Sequence, residues 1–98
     1  MQRDDVLSIL TNHQEELRQT YGVKYLALFG SVARDEAGPD SDVDILVEFD
    51  RRPIGLFEFI DLQLFLERIF GARVDLATPN SLSDWMKPGV ERDLVNVR

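Results

Sequence analysis

The chain has 98 residues and no cysteine; 44% of residues are hydrophobic, 30% are charged, and the formal net charge is −7. This is an ordinary globular composition, sized for one domain over residues 1–98 with a core near the small end of what folds alone. It excludes disulfides, thiolate metal sites and cysteine catalysis, and no window reaches the roughly 18 apolar residues of a membrane span.

The acidity argues against direct nucleic-acid binding, which normally presents a surface of Lys and Arg. A mononucleotide carried with a cation, or a basic protein, is the expected partner. Met1-Gln2-Arg3-Asp4-Asp5 has no signal-peptide pattern, so a cytoplasmic protein is expected.

In chain order, Asp4 to Tyr21 reads as one amphipathic helix, with Val6, Leu7, Leu10 and Leu17 on its apolar side and an acidic first turn. Gly22 ends it. Val23 to Phe29 is an apolar strand, Ser31 to Asp35 a short helix, Gly38-Pro39-Asp40 a turn, and Val43 to Phe49 a second strand. Arg51-Arg52-Pro53 breaks the chain. Leu56 to Phe70 is a helix closed by Gly71, and Ala72 to Ala77 a third strand. Pro79 to Pro88 reads as irregular, and Val90 to the end as a short helix. The order α-β-α-β-α-β-α predicts an α/β (α+β) fold, a small mixed sheet with helices packed on it.

Residues 28 to 44, Leu-Phe-Gly-Ser-Val-Ala-Arg-Asp-Glu-Ala-Gly-Pro-Asp-Ser-Asp-Val-Asp, carry most of the chemistry. A strand runs into Gly30-Ser31 at a helix start, where unpaired backbone N–H groups favour phosphate. Asp42 and Asp44 stand two apart at the head of the next strand, so period-two alternation puts both carboxylates on one side. A phosphate cradle beside paired carboxylates suits Mg²⁺-dependent chemistry on a nucleotide.

Gly30-Ser31, ten residues, then Asp42-x-Asp44 resembles the signature of the DNA polymerase β-like nucleotidyltransferases. Ala33-Arg34, Glu36-Ala37 and Ser41-Asp42 resemble the minimal nucleotidyltransferase branch, antitoxins often encoded beside a HEPN-domain protein. The resemblance covers nearly the whole chain and implies the polymerase β-like core. In one departure, Asp35 follows Arg34 where the family usually has Gly; if a positive φ is needed there, Asp tolerates it at some cost.

The resemblance also implies a third carboxylate on a following strand, and Asp75 in Arg73-Val74-Asp75-Leu76 is the candidate. The alternative is an Asp capped by Arg73 or a backbone amide. Asp42 and Asp44 would share one or two Mg²⁺ ions with the triphosphate of ATP, and Asp75 would complete the shell and face the attacking hydroxyl. Gly30 lets the backbone approach the β- and γ-phosphates, and Ser31 adds its N–H and hydroxyl. Arg34 either touches phosphate or pairs with Glu36, Asp40 or Asp42.

The implied activity is AMP transfer from ATP to a hydroxyl, by the resemblance a tyrosine of a cognate HEPN ribonuclease toxin, with pyrophosphate released. A chain this short leaves no room for an acceptor domain, so the acceptor must come from outside. The alternatives are an antitoxin that neutralises by binding alone, or a small-molecule nucleotidyltransferase.

Other features are set down. Asp40, Asp42 and Asp44 mimic an EF-hand start, but Ile45 stands where that loop needs Gly and Arg51 where it needs Glu. His13 reads as a surface residue, Glu15-Glu16 and Arg51-Arg52 as solvated, and Trp85-Met86 as a core plug, with a contact to the nucleotide base as the alternative. Helix 56–70 carries two apolar stripes, one of Phe59, Leu62, Leu66, Ile69 and Phe70, the other of Leu56, Phe57, Ile60 and Leu64. Such a helix is buried on more than one side. The second stripe needs either the C-terminal segment or another protein over it.

Overall fold

The computed structural model describes residues 2–50 and 55–97; the break and the solvated pair expected at Arg51-Arg52-Pro53 lie outside them. Two helices, α1 (Arg3–Asn12) and α2 (Gln14–Tyr21), stand where the apolar spacing predicts one. The chain breaks at His13, with φ −106° and ψ 9°, and its Nδ1 lies 2.9 Å from the Ile9 carbonyl oxygen. The break turns the imidazole edge-on to Phe65, with centroids 5.8 Å apart. His13 is therefore half-buried, not the surface residue a continuous helix implies.

Gly22 closes α2 in the left-handed region at φ 69°, and β1 (Val23–Phe29) follows. The next helix, α3 (Gly30–Ala33), starts one residue earlier and ends two earlier than expected. Asp35 stops it: at φ 62° it is the one non-glycine residue with positive φ among those described. Its Oδ1 lies 3.5 Å from the Arg3 N–H at the start of α1, where the helix dipole favours an anion. Asp35 thus has a compensation that glycine could not provide.

β2 (Val43–Phe49) and α4 (Leu56–Phe70) occupy the expected residues. β3 (Val74–Ala77) begins two residues late, and a 3₁₀ turn (Pro79–Ser81) precedes α5 (Lys87–Asp93). The helix expected from Val90 to the end is corrected: α5 starts earlier and gives way to a fourth strand, β4 (Val95–Asn96). Its Val95-Asn96-Val97 alternation pairs antiparallel with Ala27 and Leu28, and Val97 N–H donates to Leu26 O at 2.9 Å. Pairing here satisfies backbone groups on the outer edge of β1.

The sheet order is β3-β2-β1-β4. β2 is antiparallel to β1 and parallel to β3, as a crossover through α4 requires. On one face, Val6, Leu10 and Leu17 of the first two helices and Leu62 and Leu66 of α4 cover the inward residues of β1, β2 and β3. On the other, Val90 of α5 covers Ala27, Phe29 and Leu46. Burying each such large apolar side chain stabilises the fold by about 1.5–3 kcal/mol.

Leu62, Phe65, Leu66 and Phe70 of α4 are buried, while Leu56 is 70% exposed, Phe57 82%, Ile60 39% and Leu64 56%. The C-terminal segment packs on β1 and α3 and leaves this second stripe open. Trp85, also 82% exposed, is not a core plug; only Met86 beside it is half-buried. Among the described residues no helix is long and apolar enough to cross a membrane.

Candidate active site

The end of β1, the single turn of α3 and the starts of β2 and β3 meet at one corner of the sheet. Gly30 opens α3 at φ 74°, a conformation that disfavours any side chain. A Cβ built there would overlap the Asp44 carboxylate and stand 2.9 Å from its Cγ. Glycine is needed twice over, for its dihedral and for the space that Asp44 fills.

Asp44 and Asp75 are partners in the parallel register of β2 and β3. Asp44 points to the sheet face opposite Val43 and Ile45, and Asp42 shares that side by alternation. Asp44 and Asp42 are half-buried and Asp75 is exposed. The Asp44 carboxyl is pushed up to about 6, first by burial, then by the charges of Asp75 and Asp42 and a hydrogen bond with Asp75, with Arg34 pulling slightly the other way. Three acids therefore share this corner, and the chain's own cations, Arg34 and an exposed Arg73, leave the Asp44 carboxyl still pushed up.

Arg73 Nε lies 3.1 Å from Asp42 Oδ1, an ion pair whose orientation makes no hydrogen bond, and that oxygen is buried without a hydrogen-bond partner. A cap on Asp75 by Arg73 or a backbone amide is the sequence's alternative to a third metal ligand. The parallel ladder, in which Val43 N–H donates to Arg73 O at 2.9 Å, brings Arg73 to Asp42 instead. As the side chains stand, no group of three or more His, Cys, Asp or Glu among the described residues is gathered closely enough to hold a metal ion. Bringing Asp42 onto a shared ion would exchange an exposed ion pair worth about 0–1 kcal/mol. The donor set fits a hard divalent cation such as Mg²⁺: carboxylate oxygens only, one of them buried without a hydrogen bond, and mutual repulsion that positive charge would relieve.

Ser31 is the second residue of α3, whose cap position belongs to Phe29, so it is not a helix cap. Arg34 adopts the ion-paired alternative, with Nε 2.8 Å from Glu36 Oε1 and Nη1 2.6 Å from Asp93 Oδ2. Glu36 was among its expected partners; Asp93, on α5, was not. Only tertiary packing brings residues 34 and 93 together, and no local sequence signal announces it.

Residues 10–96 match the nucleotidyltransferase domain family. The chain belongs to that family. This nucleotidyltransferase is 46% identical to the protein adenylyltransferase MntA of Thermococcus cleftensis, over 96% of this chain and 94% of that protein. A solved candidate minimal nucleotidyltransferase superposes with a TM-score of 0.78 at 33% identity, covering 97% of this chain and 95% of the other. A complex of a tri-AMPylated Shewanella oneidensis HEPN toxin with its MNT antitoxin contains a chain that matches with a TM-score of 0.67 at 19% identity. That match covers 94% of this chain and 71% of that one, and it is a likeness of fold alone.

Proposed function

We propose that this nucleotidyltransferase transfers AMP from ATP to a tyrosine hydroxyl of a HEPN-domain toxin and so acts as its antitoxin. The observation that carries the reading is the packing of Gly30 on Asp44 with Asp75 in register beside it. The start of α3 is thereby set directly against the carboxylates of Asp44 and Asp75. The name of the Thermococcus relative supports the reaction, and the modified toxin of the Shewanella complex supports the class of acceptor.

In this reading the first N–H groups of α3, which have no intrahelical partners, bind the β- and γ-phosphates, and Ser31 adds its hydroxyl. Asp42, Asp44 and Asp75 would hold Mg²⁺, which would supply positive charge against the triphosphate and the departing pyrophosphate. Arg34, fixed between Glu36 and Asp93, shapes the loop and tempers the charge at Asp44. Asp75, the most exposed of the three acids, orients the acceptor hydroxyl or takes its proton. The hydroxyl oxygen bonds the α-phosphorus and pyrophosphate leaves. Because the transition state is loose, positioning and charge supply most of the rate.

The test is incubation of the chain and the HEPN protein with Mg²⁺ and ATP labelled at either the α- or the γ-phosphate. The reading expects the α-label on the toxin and its loss when the acceptor tyrosine is changed to Phe. Transfer of the γ-label would mean a kinase, and transfer of neither would mean neutralisation by binding alone.

A further inference from the structure

Resting on that reading, we propose that the outer side of α4 is the surface that docks the acceptor protein, and that it takes an apolar patch bordered by Lys or Arg. Leu56, Phe57, Ile60 and Leu64 all face solvent, so four large apolar side chains lie contiguous over about two and a half turns of one helix. Exposed apolar contiguity of this kind marks an interface rather than a solvated face. At Leu64 the stripe runs into a groove of about 470 Å³ between the end of α2 and α4, lined by Tyr21, Phe65, Glu58 and Asp61. Arg68, which also reaches the groove, already lies over the Phe65 ring, 5.6 Å from its centroid. With Arg68 counted, Glu58 and Asp61 leave the groove net negative, which suits the cationic head of an incoming Lys or Arg with its aliphatic stem along Leu64.

Charge decides the occupant. A second copy of this chain would bring the same Glu58 and Asp61, and a further net charge of −7, against the patch. A basic partner would be attracted at long range and paired on contact. The stripe belongs to the helical layer on the sheet face opposite Asp44, so docking and chemistry are separate. Loss of the docking surface should weaken use of the protein acceptor without touching the nucleotide site.

The experiment measures binding of the HEPN protein by titration calorimetry, AMP transfer across toxin concentrations, and the thermal shift given by Mg²⁺ and ATP. Leu64→Asp and Asp61→Lys are compared with Glu48→Lys, an exposed charge reversal on β2 matched to Asp61→Lys. Melting curves establish that all are folded; Leu64 and Asp61 are exposed, so wild-type melting is expected. Leu64→Asp and Asp61→Lys should each weaken binding and raise the toxin KM at least tenfold, with kcat at saturation and the nucleotide shift unchanged. Glu48→Lys should have less than a twofold effect. A wild-type complex left intact by both patch variants, or weakened equally by Glu48→Lys, would overturn the surface alone. So would a chain that dimerises by itself and becomes monomeric on Leu64→Asp. A wild-type chain that forms no complex would overturn the partner and the surface together.

Discussion

Gly30 and Asp44 occupy one space: the missing Cβ of the glycine is where the Asp44 carboxylate lies. The predicted consequence is that Gly30→Ala displaces a proposed metal ligand as well as straining the backbone. The left-handed conformation alone should cost about 1–2 kcal/mol, and misplacing the carboxylate by an ångström should lower AMP transfer at least ~100-fold. Chemical denaturation and a transfer assay on the same preparation check both. Near-wild-type transfer would mean that the position of Asp44 is not critical.

Asp35 supplies the second prediction. Asp35→Gly relieves the positive φ but loses the contact with Arg3, two opposed effects that should leave stability within about 1 kcal/mol of wild type. Asp35→Ala keeps the strain that wild type already carries and loses the contact, so it should cost about 0.3–1 kcal/mol. Urea unfolding of the two variants separates them. Both variants lack the Arg3 contact, so a glycine variant less stable than the alanine one would show that the positive φ carries no strain for glycine to relieve, and the proposed balance would be wrong.

The third concerns acidity. Asp44 titrates near 3.8 when unfolded and at about 6 when folded, so the folded chain holds this proton more tightly. Its favourable contribution is full below the unfolded value and is lost as pH rises through about 6. In metal-free buffer, Asp44→Asn should therefore melt higher than wild type at pH 8, with the gain shrinking towards pH 4. Differential scanning calorimetry at both pH values reads it. An asparagine variant less stable than wild type at pH 8 would show that the carboxylate is not strained there.

Much of the fold is legible in the sequence. β1, β2 and α4 run to the expected residues because each is a long apolar element stopped by a marked break such as Gly30 or Gly71. That Gly30 and the Asp42-x-Asp44 pair lie on neighbouring elements is legible from spacing, and the second apolar stripe of α4 from its periodicity, with its cover left open between the C-terminal segment and another protein. What was missed depends on contacts distant in sequence. His13 breaks a helix whose apolar spacing continues through it, and the reward is a packing contact with Phe65 on α4. β4 is two residues long, and its Val95-x-Val97 alternation was too short to outweigh a helical reading. The pairing of Arg34 with Asp93 follows from α5 folding back over β1.

The central claim is that Asp42 and Asp44 make this corner of the sheet a catalytic site. The most direct measurement is Asp42→Asn/Asp44→Asn, assayed with α-labelled ATP, Mg²⁺ and the HEPN protein, beside its melting curve. Neutral isosteres relieve carboxylate crowding, so the fold should survive, while the triphosphate is left without its counter-charge and transfer should fall by a factor on the order of a thousand or more. A folded double variant that transfers AMP to the toxin at the wild-type rate would contradict the account.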